Sequence, residues 1–391
     1  MTEEEFSYLS SPQGQSALNH LEQSLQADTN LYQATLRLRK TYGPQVSAMI
    51  HQIELRRKAR HKFSSAEHLL FTQTSLEQAT REEISRYVAK RFAGYQTADV
   101  TAGIGADAWE IFQQTSGFCV EKDPLTQQIL SFNLRWIPRS VPCFCMSAED
   151  VNLESVDCVY LDPARRDQYG RRTAQIDLWQ PHLPSYLAKI QDNVSGIGIK
   201  GSPACDISGQ WHQDQEIEFI GWQYQTKQAM FWLGCLASEA RRRVTLLPSG
   251  WTCTEHAPTH DISIVEPQTY IIDPHPAILR SGLVDQFATQ FQLSKIHPQI
   301  GYLTAEHIPN FPASELGRVY RVLDVSKYNV KSLAKTLKAF SIDSAHLRQR
   351  GFPYELDPLY AQLGLREGSE YTILFTRLGP SLYSVITEKV A

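Results

Sequence analysis

Three short stretches carry glycines and carboxylates at spacings that could hold a charged small molecule and act on it. The first, Ala98-Asp99-Val100-Thr101-Ala102-Gly103-Ile104-Gly105-Ala106-Asp107, sets a strand end, a glycine-bearing turn and a helix start in that order. Gly103 and Gly105 allow a sharp turn and close backbone approach to a ligand, and the helix that follows offers free N–H groups. The stretch reads as a cofactor cradle. A dinucleotide fingerprint would need G-x-G-x-x-G, and its third glycine position is occupied by Ala108, which only the relaxed form allows. The second stretch, Val120-Glu121-Lys122-Asp123-Pro124, ends the next strand on an acid placed to meet ribose hydroxyls. The third, Val159-Tyr160-Leu161-Asp162-Pro163-Ala164-Arg165-Arg166, delivers a carboxylate and a proline to the edge of a sheet.

These stretches need a scaffold, and the pattern around them predicts one. After Gly94, short apolar runs at 98–101, 117–120, 141–146, 156–161, 196–199, 217–222 and 229–233 alternate with amphipathic stretches near 106–115, 124–136 and 178–191. Such alternation predicts a doubly wound α/β core with a mostly parallel sheet. Ahead of it, residues 15–91 have apolar positions at helical spacing and read as a helical domain. Within that domain Ser75 is the expected cap, with Gln78 reaching back, for a helix running to about Phe92. Pro248, Gly250 and Pro258 are expected to mark a loop-rich exit from the core. A mixed α+β tail then opens at Asp273-Pro274-His275-Pro276 and ends in strands at 371–375 and 381–386.

The motifs resemble those of class I S-adenosylmethionine-dependent methyltransferases. In that family D-x-T-A-G-x-G orients the amino acid part of the cofactor, matched here by Asp99, Thr101, Ala102, Gly103 and Gly105, with Asp107 following. Glu121 matches the ribose acid, with Lys122 beside it, and Ser147-Ala148-Glu149-Asp150 stands where a backbone amide and an acid meet the adenine. Asp162-Pro163 falls where amine-methylating members carry D-P-P-Y or D-P-P-R, which implies that Asp162 and the Pro163 carbonyl position an acceptor nitrogen. The chain departs from that pattern at Ala164, and Arg165 and Arg166 take the place of a stacking ring, as candidate substrate-binding residues. The tail, with Tyr270–Ala277 and Arg350-Gly351-Phe352, resembles bacterial THUMP-like methyltransferases. The resemblance implies an N-terminal helical domain (1–92), a Rossmann-like methyltransferase core (93–265), a ferredoxin-like segment (266–325) and a THUMP-like domain (326–391). In the same family Phe71, Gln78 and Thr80 would precede the core and could fold over the cofactor; helix packing and capping is the simpler expectation for them.

Composition narrows the partners. The chain has 391 residues, 38 basic against 42 acidic side chains and 42% hydrophobic residues, an ordinary globular profile. Its acidic start lacks a secretory signal and no apolar run approaches the ~20 residues of a membrane span, so a cytoplasmic location is expected. Seven scattered cysteines argue against a disulfide framework, and Cys143-Phe144-Cys145 has the wrong spacing for zinc, so no metal is expected. Cys205 lacks an identified activating neighbour, which argues against a cysteine nucleophile. Basic residues concentrate in 37–62, eight against one acid, and in 318–350, eight against two. Two phosphate-gripping patches are one reading of them, and solvated helix faces the other. The expected function is methyl transfer to a base amine of RNA. An RNA-binding protein with little catalysis and a small-molecule methyltransferase are the alternatives.

Overall fold

The computed structural model describes residues 1–27, 39–40, 42–164, 178–205, 215–257, 259, 261–368 and 370–390. The chain divides into two compact units, one formed by 1–215 with 231–238, the other by 216–230 with 239–391.

The first unit opens with helices Glu3–Ser10, Pro12–Ala27, Val46–Ala59, Gln73–Gln78 and Glu82–Ala89. Leu18, Leu21, Met49, Ile53, Leu70 and Phe71 bury their side chains together with Ile104, Ile129 and Phe132 of the core, at about 1.5–3 kcal/mol for each large side chain removed from water. Strands β1 (Thr97–Asp99), β2 (Gly117–Glu121), β3 (Cys143–Cys145), β4 (Cys158–Leu161) and β5 (Gly196–Gly201) lie in the order β3-β2-β1-β4-β5. All four pairings are parallel. Every residue of β1, β4 and β5 is buried, which is why β4 (Cys158–Leu161) reads as an unbroken apolar run rather than an alternating one. The order reverses between β1 and β4, and in such sheets the crevice at that switch, beyond the carboxyl ends of the strands, is the usual ligand site.

Two local expectations are corrected. The helix after Phe71 is capped by Thr72, which exchanges hydrogen bonds with Ser75 (Ser75 N to Thr72 Oγ1 3.1 Å, Thr72 N to Ser75 Oγ 2.9 Å), so Ser75 is the third helical residue and not the cap. That helix stops at Gln78, because the Lys62 ammonium donates to the carbonyls of Leu76 (2.7 Å), Glu77 (3.3 Å) and Ala79 (3.1 Å) and takes the place of a further helical turn. A separate helix then runs Glu82–Ala89.

In the second unit β6 (Glu216–Trp222) pairs in parallel with β8 (Arg242–Leu247), after the first part of β7 (Gln225–Gly234). Pro248–Gly250 is not a loop-rich exit: it turns β8 back onto β9 (Trp251–Thr254) in antiparallel register, with the Gly250 N–H on the Leu246 carbonyl. Pro258 lies outside the described residues. Strands β10 (Tyr270–Pro274), β11 (Ser294–Lys295), β12 (Leu303–Ala305), β13 (Gly317–Lys327), β14 (His346–Gln349), β15 (Tyr371–Leu378) and β16 (Ser381–Lys389) form one sheet in the order β11-β12-β10-β13-β16-β15-β14. The expected boundary between 325 and 326 falls inside β13, which pairs with β10 on one side and β16 on the other, so the ferredoxin-like and THUMP-like segments share a sheet.

Candidate active site

Where β1 ends, Asp99 is almost fully buried and its Oδ1 accepts the Thr101 N–H at 3.1 Å. The Thr101 hydroxyl oxygen accepts the Asp162 N–H at 2.6 Å, so one threonine ties the acid after the first strand to the acid after the fourth. Ala102 is buried, and its N–H donates to the Val120 carbonyl at 3.0 Å. Gly103, at φ +55°, donates its N–H to Glu121 Oε2 at 3.0 Å, and Asp123 donates to Glu121 Oε1 at 2.9 Å.

The two glycines do different work. A Cβ on Gly103 would meet nothing within 4 Å, so the turn fronts open space there. On Gly105, at φ +92°, a Cβ would come within 2.9 Å of Leu130 Cδ1, so Gly105 lets the helix Pro124–Leu134 approach closely. Beyond β3, Ala148 is buried and opens a short turn, Ala148–Asp150, whose acids Glu149 and Asp150 are exposed. Met146 N–H donates to the Glu121 carbonyl at 3.2 Å, which joins this turn to the end of β2. Lys122 is exposed.

Asp107 was expected to serve the cofactor, but its carboxylate is committed internally. It accepts from Thr80 Oγ1 (3.0 Å), Ser85 Oγ (2.6 Å) and Lys200 Nζ (3.0 Å). Lys200, the lysine that closes the apolar run of β5, also donates to Thr80 Oγ1 and to Asp162 Oδ2, both at 2.6 Å. The Asp162 side chain keeps 29% of its surface exposed, against 6% for Lys200. Pro163 is buried, and Ala164 is fixed to Gln180 by two backbone hydrogen bonds (2.8 and 3.0 Å). Arg165 and Arg166 lie outside the described residues. Phe71 stacks on Phe63 in the core (5.8 Å between centroids), and Gln78 is exposed at a helix end. A small recess lined by Phe63, Phe71, Ile104 and Trp109 includes Gly105 but none of Asp99, Glu121 and Asp162.

Burial pushes the Asp99 carboxyl well above its ordinary pKa, with Asp107 and Asp162 adding to the rise and the Thr101 N–H and Lys200 opposing it. For Asp107 burial acts in the same direction, but the Lys200 charge and the bonds from Ser85, Lys200 and Thr80 outweigh it and hold the group below its ordinary value. Burial would lower Lys200, yet Asp107 and Asp162 raise it above the usual lysine range, so it is a fixed cation rather than a base.

The basic segments are less available than their counts suggest. Arg56 is fully buried and donates to the Leu69 carbonyl and Gln15 Oε1, Arg60 is paired with Glu22, and Lys62 holds helix carbonyls. Lys331, Lys335 and Lys338 are exposed on the helix Val330–Ala339, opposite its buried Leu333 and Leu337. Among the described residues no group of three or more His, Cys, Asp or Glu side chains is arranged to hold a metal, and no helix is long and apolar enough to cross a membrane.

Three family models match parts of the chain: a domain of unknown function at residues 2–59, a ferredoxin-like domain at 270–312 and a THUMP domain-like family at 317–388. Proteins of two Mycobacterium tuberculosis strains, described as uncharacterized S-adenosylmethionine-dependent methyltransferases, are each 28% identical over 366 residues, which is 90% of this chain and 99% of theirs. A crystal structure from Porphyromonas gingivalis W83, described only provisionally as a methyltransferase, superposes with a TM-score of 0.71 at 20% identity, covering 92% of this chain and 98% of that one. The chain thus has, in order, a helical N-terminal region, a class I methyltransferase fold, and ferredoxin-like and THUMP-like segments, and over nine-tenths of its length it is similar to S-adenosylmethionine-dependent methyltransferases.

Proposed function

We propose that this protein is an S-adenosylmethionine-dependent methyltransferase acting on a base amine of RNA, with its acceptor site at Asp162-Pro163. The observation that carries the reading is the charge balance at the β1–β4 switch. Two carboxylates, Asp107 and Asp162, are bridged to one buried ammonium, Lys200, and beside them the Asp99 carboxyl is pushed up, by burial first and by those two acids second. That surplus fits a ligand carrying positive charge, and the open space over Gly103 leaves room for one. S-adenosylmethionine, when bound, supplies an electrophilic methyl group on a sulfonium.

In this reading Asp99 holds the cofactor's amino acid end and Glu121 its ribose. Each Glu121 oxygen accepts one backbone N–H and retains a lone pair for a hydroxyl. The turn at Ala148, Glu149 and Asp150 borders the adenine. Asp162 accepts one N–H of the acceptor amine and the Pro163 carbonyl the other, which aims the nitrogen lone pair and offsets the positive charge that develops on it. Arg165 and Arg166 contact the substrate. The exposed lysines of 331–338 grip phosphate, which makes RNA affinity fall steeply with salt.

Comparing the methylated nucleosides of cells with and without the protein by mass spectrometry tests the reading, because one methylated nucleoside should disappear. In calorimetry, Gly103→Val should weaken cofactor binding by obstructing the open turn. Unchanged nucleosides, with cofactor binding intact, would transfer the assignment to a small-molecule acceptor. That second reading draws on three basic residues of the N-terminal segment that already have partners: Arg56 is buried on Leu69 and Gln15, Lys62 holds helix carbonyls and Arg60 pairs with Glu22.

A further inference from the structure

Lys200 stands at the end of a strand whose every residue is buried, and its ammonium has three N–H donors and no acceptor. All three are committed, to Thr80 Oγ1, Asp107 Oδ2 and Asp162 Oδ2. The receiving groups are themselves anchored: Ser85 holds the second oxygen of Asp107, and Thr101 holds the Asp162 backbone. Asp162 therefore has its Oδ2 fixed, while Oδ1 has no partner among the described residues. A carboxylate on a free side chain would turn about its χ2 axis and offer either oxygen to solvent.

Resting on the function proposed above, we propose that Lys200 is a positioning residue for methyl transfer, which locks the Asp162 carboxylate in the orientation that presents Oδ1 to the acceptor N–H. The turn and helix carrying Thr80 and Ser85 belong to this device, so the helical N-terminal region contributes directly to acceptor geometry.

The test uses the full chain, methyl-labelled S-adenosylmethionine, and the RNA and small-molecule fractions of an extract from cells lacking the protein. Lys200→Met should lower kcat roughly 100-fold at pH 7 and leave KM for S-adenosylmethionine within about threefold, the signature of an interaction used in the transition state. Because Lys200 acts through Asp162, the double variant with Asp162→Asn should be no slower than Asp162→Asn alone. Thr80→Val removes one acceptor without changing charge, keeps a folded readout if Lys200→Met does not fold, and should cost kcat about fivefold.

A Lys200→Met enzyme at the wild-type rate, or losses that multiply in the double variant, would overturn the proposal. If wild type labels only the small-molecule fraction, RNA is the wrong substrate and the same comparison on that fraction decides the role of Lys200. If wild type binds the cofactor and labels neither fraction, both the proposed activity and the Lys200 role fall.

Discussion

Each unit buries a carboxylate against a cation near a strand end, and the two arrangements balance their charge differently. In the first unit two aspartates, Asp107 and Asp162, share one ammonium beside a third buried carboxyl, Asp99, and Asp162 stays part-exposed. In the second, Asp273 is 4% exposed and takes both Nε (3.0 Å) and Nη2 (2.7 Å) of Arg350 on a single oxygen. Its backbone carbonyl accepts the Tyr224 hydroxyl at 2.6 Å, and the Arg318 guanidinium lies 4.0 Å from the centre of the Tyr224 ring. There the cations are absorbed by a carboxylate and by aromatic faces, and the cluster closes on itself. A buried ion pair does not by itself mark a functional site. What distinguishes the first unit is a charge surplus of one sign next to open space.

The largest expected effect on cofactor binding comes from removing part of that surplus. Asp99→Ala should weaken S-adenosylmethionine binding by about 2 kcal/mol, or roughly 30-fold, measured by calorimetry at pH 8. Burial makes Asp99 hold its proton above the ordinary range, so wild-type affinity for a cationic cofactor should rise with pH as that proton leaves. Asp99→Ala should lose this dependence. Equal affinity in the two proteins would remove the contrast between the units.

Breaking the closed cluster should affect stability and spare the cofactor. Arg350→Met leaves Asp273 buried without its partner. The expected loss is about 2 kcal/mol in denaturant unfolding, below the range for fully buried pairs because Arg350 is 31% exposed. A drop in cofactor affinity would show that the second cluster does more than hold its unit together.

The smallest effect lies at His275, whose Nδ1 accepts the Ala277 N–H at 3.0 Å and caps the helix Pro276–Ser281. Burial first, and Arg318 second, lower its pKa from 6.5 to about 4. The unfolded chain therefore takes up this proton before the folded one does, and stability is lost as pH falls from 6.5 towards 4. His275→Ala should cost about 1 kcal/mol at pH 7 and flatten that decline, read from denaturant midpoints across the window. Asp107 separates the units further: its lowered pKa contributes stability above 3.8 that is lost only as pH falls through the folded value. A decline that persists unchanged in His275→Ala would move the acid-sensitive element to another residue.

The glycine turn, the strand ends carrying Asp99, Glu121 and Asp162, and the parallel core were legible because each is a local pattern of apolar run, glycine and acid. Lys200 was not legible. A lysine that closes an apolar run reads as the strand's exit to solvent, and its partners Asp162, Asp107 and Thr80 are distant in sequence. The same limit misled the charge count over 37–62, since nothing local marks Arg56 as a buried donor to the Leu69 carbonyl and Gln15. Thr72 and Ser75 both suit a helix start, and only the Lys62 ammonium on the far carbonyls explains why that helix stays short. β13 was missed because from Arg321 to Lys327 none of its residues is fully buried, a weaker signal than the buried runs of the core.

The four-residue knot around Lys200 also bears on how the chain is made. Thr80 and Lys200 are 120 positions apart, and at about 5–20 residues per second synthesis takes roughly 6–24 s to pass from one to the other. From Asp107 onward, for the last 93 of those positions, a nascent chain has Thr80, Ser85 and Asp107 but no ammonium to join them, and folding the helices against β1 would bury Asp107 without its cation. The N-terminal region is therefore expected to reach its final packing only once β5 has been made. Truncated chains ending before Lys200 should be held by chaperones or degraded, rather than accumulating as a folded N-terminal fragment.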